Sequence, residues 1–321
     1  MTSCFVVIPY YQKQSGILVR ALKSVFAQTF RDFEIIIVDD ASPLPIEGEL
    51  AALSDNERAL IHVVKQENQG PGGARNTGLN AVPEGAEFVA FLDSDDDWTP
   101  DHLANAVTGM RRFDADCYWA SIKGGDEFYY HFGVSTVEER AASTRLQEDP
   151  LIIEVDDLAG VMLENWSFMH MSAMVIGEAL FRKVRFEASL RLAAEDVLFF
   201  YDCVKGAKRT LLCDAAGAVR GEGVNIFHSI DNESPLFLQQ QFNTWVALDN
   251  LEGRGQHRPE HMASIHGYKQ TARRQALWSQ VGLLRKSKVP QFGLLAQWAW
   301  RDPRLIRSAM ELAIGKFSKQ A

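Results

Sequence analysis

Apolar and polar positions along the first hundred residues fall into blocks that read strand, helix, strand. The run CFVVIP (4–9) is followed by a helical face carrying Leu18, Leu22, Val25 and Phe26, then by the run FEIIIV (33–38). A short helix is expected around Glu47 to Leu53, a strand over LIHVV (60–64), a helix opened by the glycine-rich QGPGGARNTGLN (69–80), and a strand over EFVAFL (87–92). Such blocks at roughly thirty-residue intervals imply right-handed crossovers and a mostly parallel sheet flanked by helices, a Rossmann-like α/β arrangement. Open sheets of this kind bind ligands beyond the carboxyl ends of their strands. The unusual residues all lie there: Pro9-Tyr10-Tyr11, Asp39-Asp40, Gly70 to Asn76, and Asp93 to Asp97.

From about residue 100 the pattern loosens. CYWASIKGGDEFYYHFG (117–133) suggests irregular or mixed sheet, MSAMVI (171–176) a strand, and the region after Glu195 a helix. After Ser234-Pro235 the chain reads as helix to its end, interrupted by LEGRGQHRP (251–259), Pro290 and Pro303. The organisation expected is a nucleotide-binding part (1–97), an acceptor-binding part (98–233) and a C-terminal helical extension (234–321).

With 321 residues, 46% of them hydrophobic, the chain has ample material for a core. No window is apolar enough to span a bilayer, and residues 1–9 lack the features of a secretion signal, so a cytoplasmic location is expected. The four cysteines form no C-x-x-C pair and are expected to be reduced, buried thiols. The net charge of -9 conceals an asymmetry: residues 254–321 hold thirteen Lys/Arg against three Asp/Glu, whereas the rest is strongly acidic. No nucleic-acid partner is expected.

The aspartates after EFVAFL raise the chemical question. Like charges at the end of a buried strand repel, unless a divalent cation sits among them. Oxygen ligands favour Mg or Mn, and Mg prefers one or two carboxylates completed by phosphate oxygens. The D-x-D spacing of Asp93 and Asp95 suits that, although a solvated turn capping the next helix through Asp97 or Thr99 would also explain the acids. Asp39-Asp40 follows IIIV in the same way, either contacting a nucleobase and ribose or closing its own turn. QGPGGARN places small residues where a ligand approaches the backbone, but it is neither a Walker loop nor a full dinucleotide fingerprint. Arg75 on its first turn is in reach of a base or phosphate. Glu195-Asp196 opens a helix, where acids are favoured by the dipole whatever their function.

VVIPYYQK, SVFAQTFRDFEIIIVDDAS, NQGPGGARNTGLN, FVAFLDSDDDWTPDHL and AEDVLFF, in this order, resemble the GT-A-fold glycosyltransferases of family 2, from Phe5 to about Val204. The resemblance implies an inverting, Mg- or Mn-dependent enzyme that uses a nucleotide sugar. It implies that Pro9 and Tyr11 border the uracil, Asp40 bonds the base, Asp39 supports the nucleoside pocket and Arg75 contacts the nucleotide. Asp95 would be the direct metal ligand, with Asp93 nearer the ribose or sugar. Asp196 would be the general base, with Glu195 beside it on the acceptor side. His170 would line the acceptor cleft, unless it is a packed core histidine, and His228 is a candidate late-chain metal ligand.

GPGGARNTGL, RFDADCYWAS and YYHFGV resemble the family's bacterial exopolysaccharide members, which implies UDP-glucose, a β-1,3 product and a polyprenyl-diphosphate-linked oligosaccharide acceptor. The chain departs from processive synthases in lacking Q-x-x-R-W and membrane spans. Residues 285–307 interleave Arg285, Lys286, Lys288, Arg301, Arg304 and Arg307 with Phe292, Leu294, Leu295, Trp298 and Trp300, as suits a helix lying on the inner-membrane surface, a packed hairpin or a homodimer interface. Three other readings are weaker. A sugar nucleotidyltransferase would need G-x-G-x-R near the first strand, where Pro-Tyr-Tyr stands. HRPEH (257–261) resembles a metallohydrolase string, but Pro259 interrupts it. A non-catalytic binding module would not need Asp95 and Asp196 together.

Overall fold

The computed structural model describes residues 2–123, 133–165, 168–191, 194–221, 230–232, 234–255 and 257–315. His228 lies outside the described residues. The chain forms two compact units, one of residues 1–191 and 195–224, the other of residues 192–194 and 225–321.

The first unit is built on one sheet. Its strands are β1 (Cys4–Tyr10), β2 (Phe33–Asp39), β3 (Ile61–Lys65), β4 (Phe88–Phe91), β5 (Asp97–Trp98), β6 (Cys117–Lys123), β7 (Ser143–Glu148), β8 (Leu151–Val155), β9 (Met174–Gly177) and β10 (Thr210–Val219). They run in the order β3-β2-β1-β4-β9-β6-β10-β8-β7, with β5 paired to β10. The helices of this unit are α1 (Ile17–Phe26), α2 (Ile46–Leu50), α3 (Asp55–Arg58), α4 (Gly70–Ala81), α5 (His102–Phe113), α6 (Val134–Arg140), α7 (Leu158–Glu164), α8 (Glu178–Phe181) and α9 (Glu195–Gly206). The parts expected on either side of residue 97 contribute strands to the same sheet.

Near-continuous apolar strands need cover on both faces, and β1, β2 and β4 have it: almost every residue in them is buried. Their parallel register sets Tyr10 opposite Asp39 and Asp39 opposite Lys65, so these strands end level with one another. The parallel run is confined to β3-β2-β1-β4; beyond it the sheet is mixed. β9 runs antiparallel between β4 and β6, pairing Ala90 with Val175. An antiparallel neighbour brings its amino end to the carboxyl end of β4. Extending that register sets Ser172 opposite Asp93. The residues before β9 thereby join the ligand-binding edge, and a 3-10 turn (Met171–Ala173) replaces the expected first part of that strand.

The capping alternative offered for Asp97 or Thr99 does not hold. Neither Asp97 nor Thr99 caps α5: Asp97 belongs to β5, the Thr99 hydroxyl donates to the Ala216 carbonyl at 2.6 Å, and the cap position is Asp101. The helix expected to open at QGPGGARNTGLN is α4, which begins at Gly70, so the glycines form its first turns. A Cβ on Gly78 would collide with Val7, so the glycine lets α4 lie flush on β1.

The second unit contains α10 (Pro235–Gly253), capped by Ser234, then α11 (Pro259–Arg285), α12 (Phe292–Arg301) and α13 (Arg304–Ala313). Its core gathers Leu238, Phe242, Trp245, Ala272, Ala276, Leu277, Trp298 and Leu305. Three ion pairs run through it: Arg273 to Asp302 at 2.5 Å, both buried, and Lys269 to Asp249 and to Glu252 at 2.6 Å each. HRPEH is no metal motif here, since Pro259 opens α11 and leaves His257 outside the helix, its Nε2 2.8 Å from the Leu251 carbonyl.

Candidate active site

The acidic run after β4 is a set of differently held carboxylates. Asp93 accepts from Arg75 at 2.6 Å, while its own N–H donates to the Ser172 hydroxyl oxygen at 3.0 Å. Asp96 is almost fully buried; it accepts from the Ser172 hydroxyl at 2.6 Å and from the Gly221 N–H at 3.0 Å. Asp97 is paired at the surface with Arg20, 3.1 Å away. Asp95 forms no ion pair among the described residues, and Arg20 donates only to its backbone carbonyl.

Burial, followed by the negative charges of Asp93 and Asp96, pushes the Asp95 carboxyl up to about 7. Burial also raises Asp96, against the pull of His170 and the Ser172 hydroxyl. For Asp93 the burial effect is overcome by Arg75 and His170, which hold it below the usual carboxylate range.

Ser172 ties this region together. Completely buried, it binds Asp96 and Asp93 through its hydroxyl, accepts from the Trp98 indole N–H at its carbonyl at 2.6 Å, and donates its N–H to His170 Nδ1 at 3.2 Å. His170 lies 3.6 Å from Asp96. One ligand atom each from Asp93, Asp96 and His170 fall within 4.8 Å of one another. Asp95 stands outside that trio. Two carboxylates and an imidazole are donors that Mn accepts, and a 2+ ion would relieve the repulsion that raises Asp95.

The second acidic pair comes from the start of α9, a hundred residues further on. Arg75, 6% exposed, links it to the first: one terminal nitrogen bonds Asp93 and the other lies 3.5 Å from Glu195. Beneath the guanidinium lies the Phe186 ring at 5.4 Å, stacked 3.8 Å from Phe199 of α9. Asn76 fixes that segment to α4, donating to the Phe186 carbonyl at 2.9 Å and accepting from its N–H at 2.8 Å. Arg75 and Asn76 of GARN therefore clasp α4 to the Phe186 segment and to α9. Burial and Asp196 push Glu195 up to about 7 against the pull of Arg75, and burial raises Asp196 as well.

At the ends of β1 and β2, Tyr11 is 41% exposed and Pro9 partly so, whereas Tyr10 is buried with its hydroxyl on the Leu44 carbonyl. Asp39 accepts from the Ser42 N–H at 2.9 Å. Asp40 accepts from Gln66 at 2.7 Å and from the N–H groups of Gln69 and Gly70 at 2.8 Å each, so it braces the start of α4. Gln12, unnoticed in the sequence, donates to Ser94 at 2.9 Å and joins β1 to the acidic run.

Sequence reasoning named both acidic pairs and Arg75, but missed Ser172, Asp96, Phe186 and Gln12 as organisers. The quoted MSAMVI, FVAFLDSDDDWTPDHL and VVIPYYQK contain Ser172, Asp96 and Gln12. Only the antiparallel register of β9 shows why they meet.

Comparison with known proteins completes the description. Residues 5–165 match glycosyl transferase family 2. The chain is 67% identical over 319 residues to the succinoglycan biosynthesis protein ExoW of Rhizobium meliloti, covering 99% of this chain and 100% of that one. It is 36% identical over 98 residues to a GalNAc(5)-diNAcBac-PP-undecaprenol beta-1,3-glucosyltransferase of Campylobacter jejuni, over 30% of this chain and 31% of that one. Among solved structures it shares its fold with S. aureus TarS 1-349 in complex with UDP-GlcNAc (TM-score 0.60, 18% identity, 98% of this chain and 92% of that one). It also shares it with the mannosyltransferase PcManGT of Pyrobaculum calidifontis in complex with GDP-Man and Mn2+ (TM-score 0.56, 17% identity, 96% and 86%).

Proposed function

The chain belongs to glycosyl transferase family 2 and is a glycosyltransferase, and from that premise we propose that it moves glucose from UDP-glucose, with inversion, onto a lipid-linked oligosaccharide in exopolysaccharide synthesis. The observation that carries the reading is the meeting of two acidic pairs, distant in sequence, around the single guanidinium of Arg75. The donor reading is supported by the UDP-GlcNAc complex of TarS. The acceptor and β-1,3 linkage are supported by the name of the Campylobacter relative, a beta-1,3-glucosyltransferase of an undecaprenol-linked oligosaccharide, and by the succinoglycan role of the Rhizobium one.

Pro9 and Tyr11 border the nucleobase, with Asp39 and Asp40 at the nucleoside and Arg75 at the nucleotide. Asp93, Asp96 and His170, whose ligand atoms converge, together with Asp95 of the D-x-D spacing, would hold a Mg or Mn ion, which would neutralise charge developing on the leaving diphosphate. The acceptor hydroxyl attacks the anomeric carbon from the face opposite the diphosphate. Asp196 takes its proton as the new C–O bond forms, and the bond to the diphosphate breaks with its electron pair. Such general-base help is worth about 10² to 10⁴ in rate. Burial of Glu195 and Asp196 favours their proton-bound forms, which makes either carboxylate a stronger base than in water. The acceptor is anionic and anchored in a membrane, placing the enzyme at the cytoplasmic face of the inner membrane.

The test follows UDP release and glucosylated lipid from UDP-glucose, with Mn and with a chelator. Asp196→Asn retains UDP binding by calorimetry but loses at least about a hundredfold in transfer. Transfer by Asp196→Asn near the wild-type rate would remove Asp196 as the base, and metal-independent turnover would remove the cation.

A further inference from the structure

Helix α12 is apolar on two sides. From Phe292 to Trp300 it carries no charged residue. On its inner side Trp298 is fully buried, with Leu294 and Leu295 packed on the same core, as the packed-hairpin alternative for this segment requires. Its outer side presents Phe292, Gly293, Ala296, Gln297 and Trp300, one exposed stripe at helical spacing. Phe292 is 63% exposed and Trp300 89%. A helix apolar all round is ordinarily covered all round. Here the described residues cover one side.

The stripe is not an isolated feature. Of the eleven most exposed large apolar side chains among the described residues, eight lie between Trp278 and Ile314. Beside Phe292 an open apolar groove of about 350 Å³ is lined by Trp278, Leu284, Leu295 and Leu312.

Charge decides what covers this face. Arg285, Lys286 and Lys288 precede α12, Arg301 ends it, and Arg304 and Arg307 follow it. Between residues 284 and 314 the only acids are Asp302, taken by Arg273, and Glu311, taken by Arg307 at 3.1 Å. A second copy of the chain seated symmetrically on the stripe would set one cationic cluster against another. An anionic bilayer meets both demands: tryptophan and phenylalanine favour the acyl–headgroup boundary, and Lys and Arg extend to the head groups.

We propose that α12 is the membrane-seating element of this enzyme, with Phe292, Ala296 and Trp300 among the upper acyl carbons of an anionic bilayer and the flanking cations on its phosphates. The proposal deepens the reading above, which already places the acceptor at the inner membrane, by naming the side chains that enter the lipid.

The test uses the full chain with vesicles of phosphatidylcholine, alone or mixed with phosphatidylglycerol. Sedimentation with the mixed vesicles is expected, and Trp300→Ala, which alters an exposed residue outside the core, weakens partition by about tenfold or more. Acyl-brominated lipid quenches the tryptophan fluorescence of the wild type more than that of Trp300→Ala. The proposal is overturned by absence of vesicle binding. Equal binding of the variant without bromolipid quenching would reduce the contact to surface charge and also overturn it. A concentration-dependent dimer abolished by Trp300→Ala would show that a second copy covers the stripe instead. UDP release from UDP-glucose without vesicles is the same for both proteins; its failure in both, with vesicle insertion intact, would refute the transfer reading and leave this one standing.

Discussion

Replacing Ser172 by Ala removes one oxygen atom and tests how the acidic edge is held. That hydroxyl donates to Asp96 at 2.6 Å and accepts from the Asp93 N–H at 3.0 Å, in a residue with no exposed surface. The backbone contacts of Ser172 with His170 and Trp98 are left in place. Losing a hydrogen bond to an ionised carboxylate costs about 1.5–3 kcal/mol, and a buried N–H without a partner about 1–3 kcal/mol, so a loss of about 2.5–6 kcal/mol is expected. The pH dependence identifies the cause. The hydroxyl lowers the proton affinity of Asp96, whose carboxyl is nonetheless raised by burial. Without the hydroxyl the folded protein holds that proton more tightly, so the variant loses stability relative to wild type as pH rises from about 4 towards 8. Urea unfolding at pH 5 and pH 8, with hydrogen exchange over the segment that contains Asp93, measures both effects. A loss below about 0.5 kcal/mol, or one equal at the two pH values, would show that Ser172 fills space and does not organise the carboxylates.

Asp95→Asn is expected to stabilise the metal-free protein above neutral pH. The Asp95 carboxyl sits at about 7 against an ordinary 3.8, so ionisation opposes folding progressively between those values, by at most about 4 kcal/mol once complete. The melting curves of wild type and variant in chelator should coincide near pH 4 and separate by pH 8; parallel behaviour would refute the assignment of strain to Asp95. Arg75→Met leaves Asp93 and Glu195 without their shared cation and should cost about 3–5 kcal/mol by urea unfolding, with Arg75→Lys falling between it and wild type. Equal stability of Arg75→Met and Arg75→Lys would mean that the charge is not what matters there.

The sequence made the sheet's first half legible because alternation of strand and helix is a strong, local signal. CFVVIP, FEIIIV and EFVAFL are buried runs bounded by turn residues, and each is a strand in the structure. The second half was harder because its strands are mixed in direction and their partners are remote, as with β9 between β4 and β6. The acidic residues could be found by type, since carboxylates after an apolar run stand out. Their individual tasks could not, because these depend on contacts made seventy-odd residues away, such as Ser172 with Asp96. For the basic tail the sequence left a surface-lying helix, a packed hairpin and a dimer interface open, because its pattern alone does not tell buried aromatics from exposed ones. Burial separates Trp298, a core residue, from Trp300, an outer one, two positions apart on the same helix.

Asp40 and Arg75 belong to one mechanical chain: Asp40 grips the first amides of α4, and Arg75 leaves that helix five residues later to reach both acidic pairs. Engineering a new nucleotide preference by editing Asp40 would therefore loosen the lever that sets Arg75, and turnover should fall even for the original donor. If Asp40 and Arg75 hold the roles proposed for them, donor choice and reaction rate are not separately adjustable in this scaffold, and a redesign would have to rebuild the helix start before it touches the pocket.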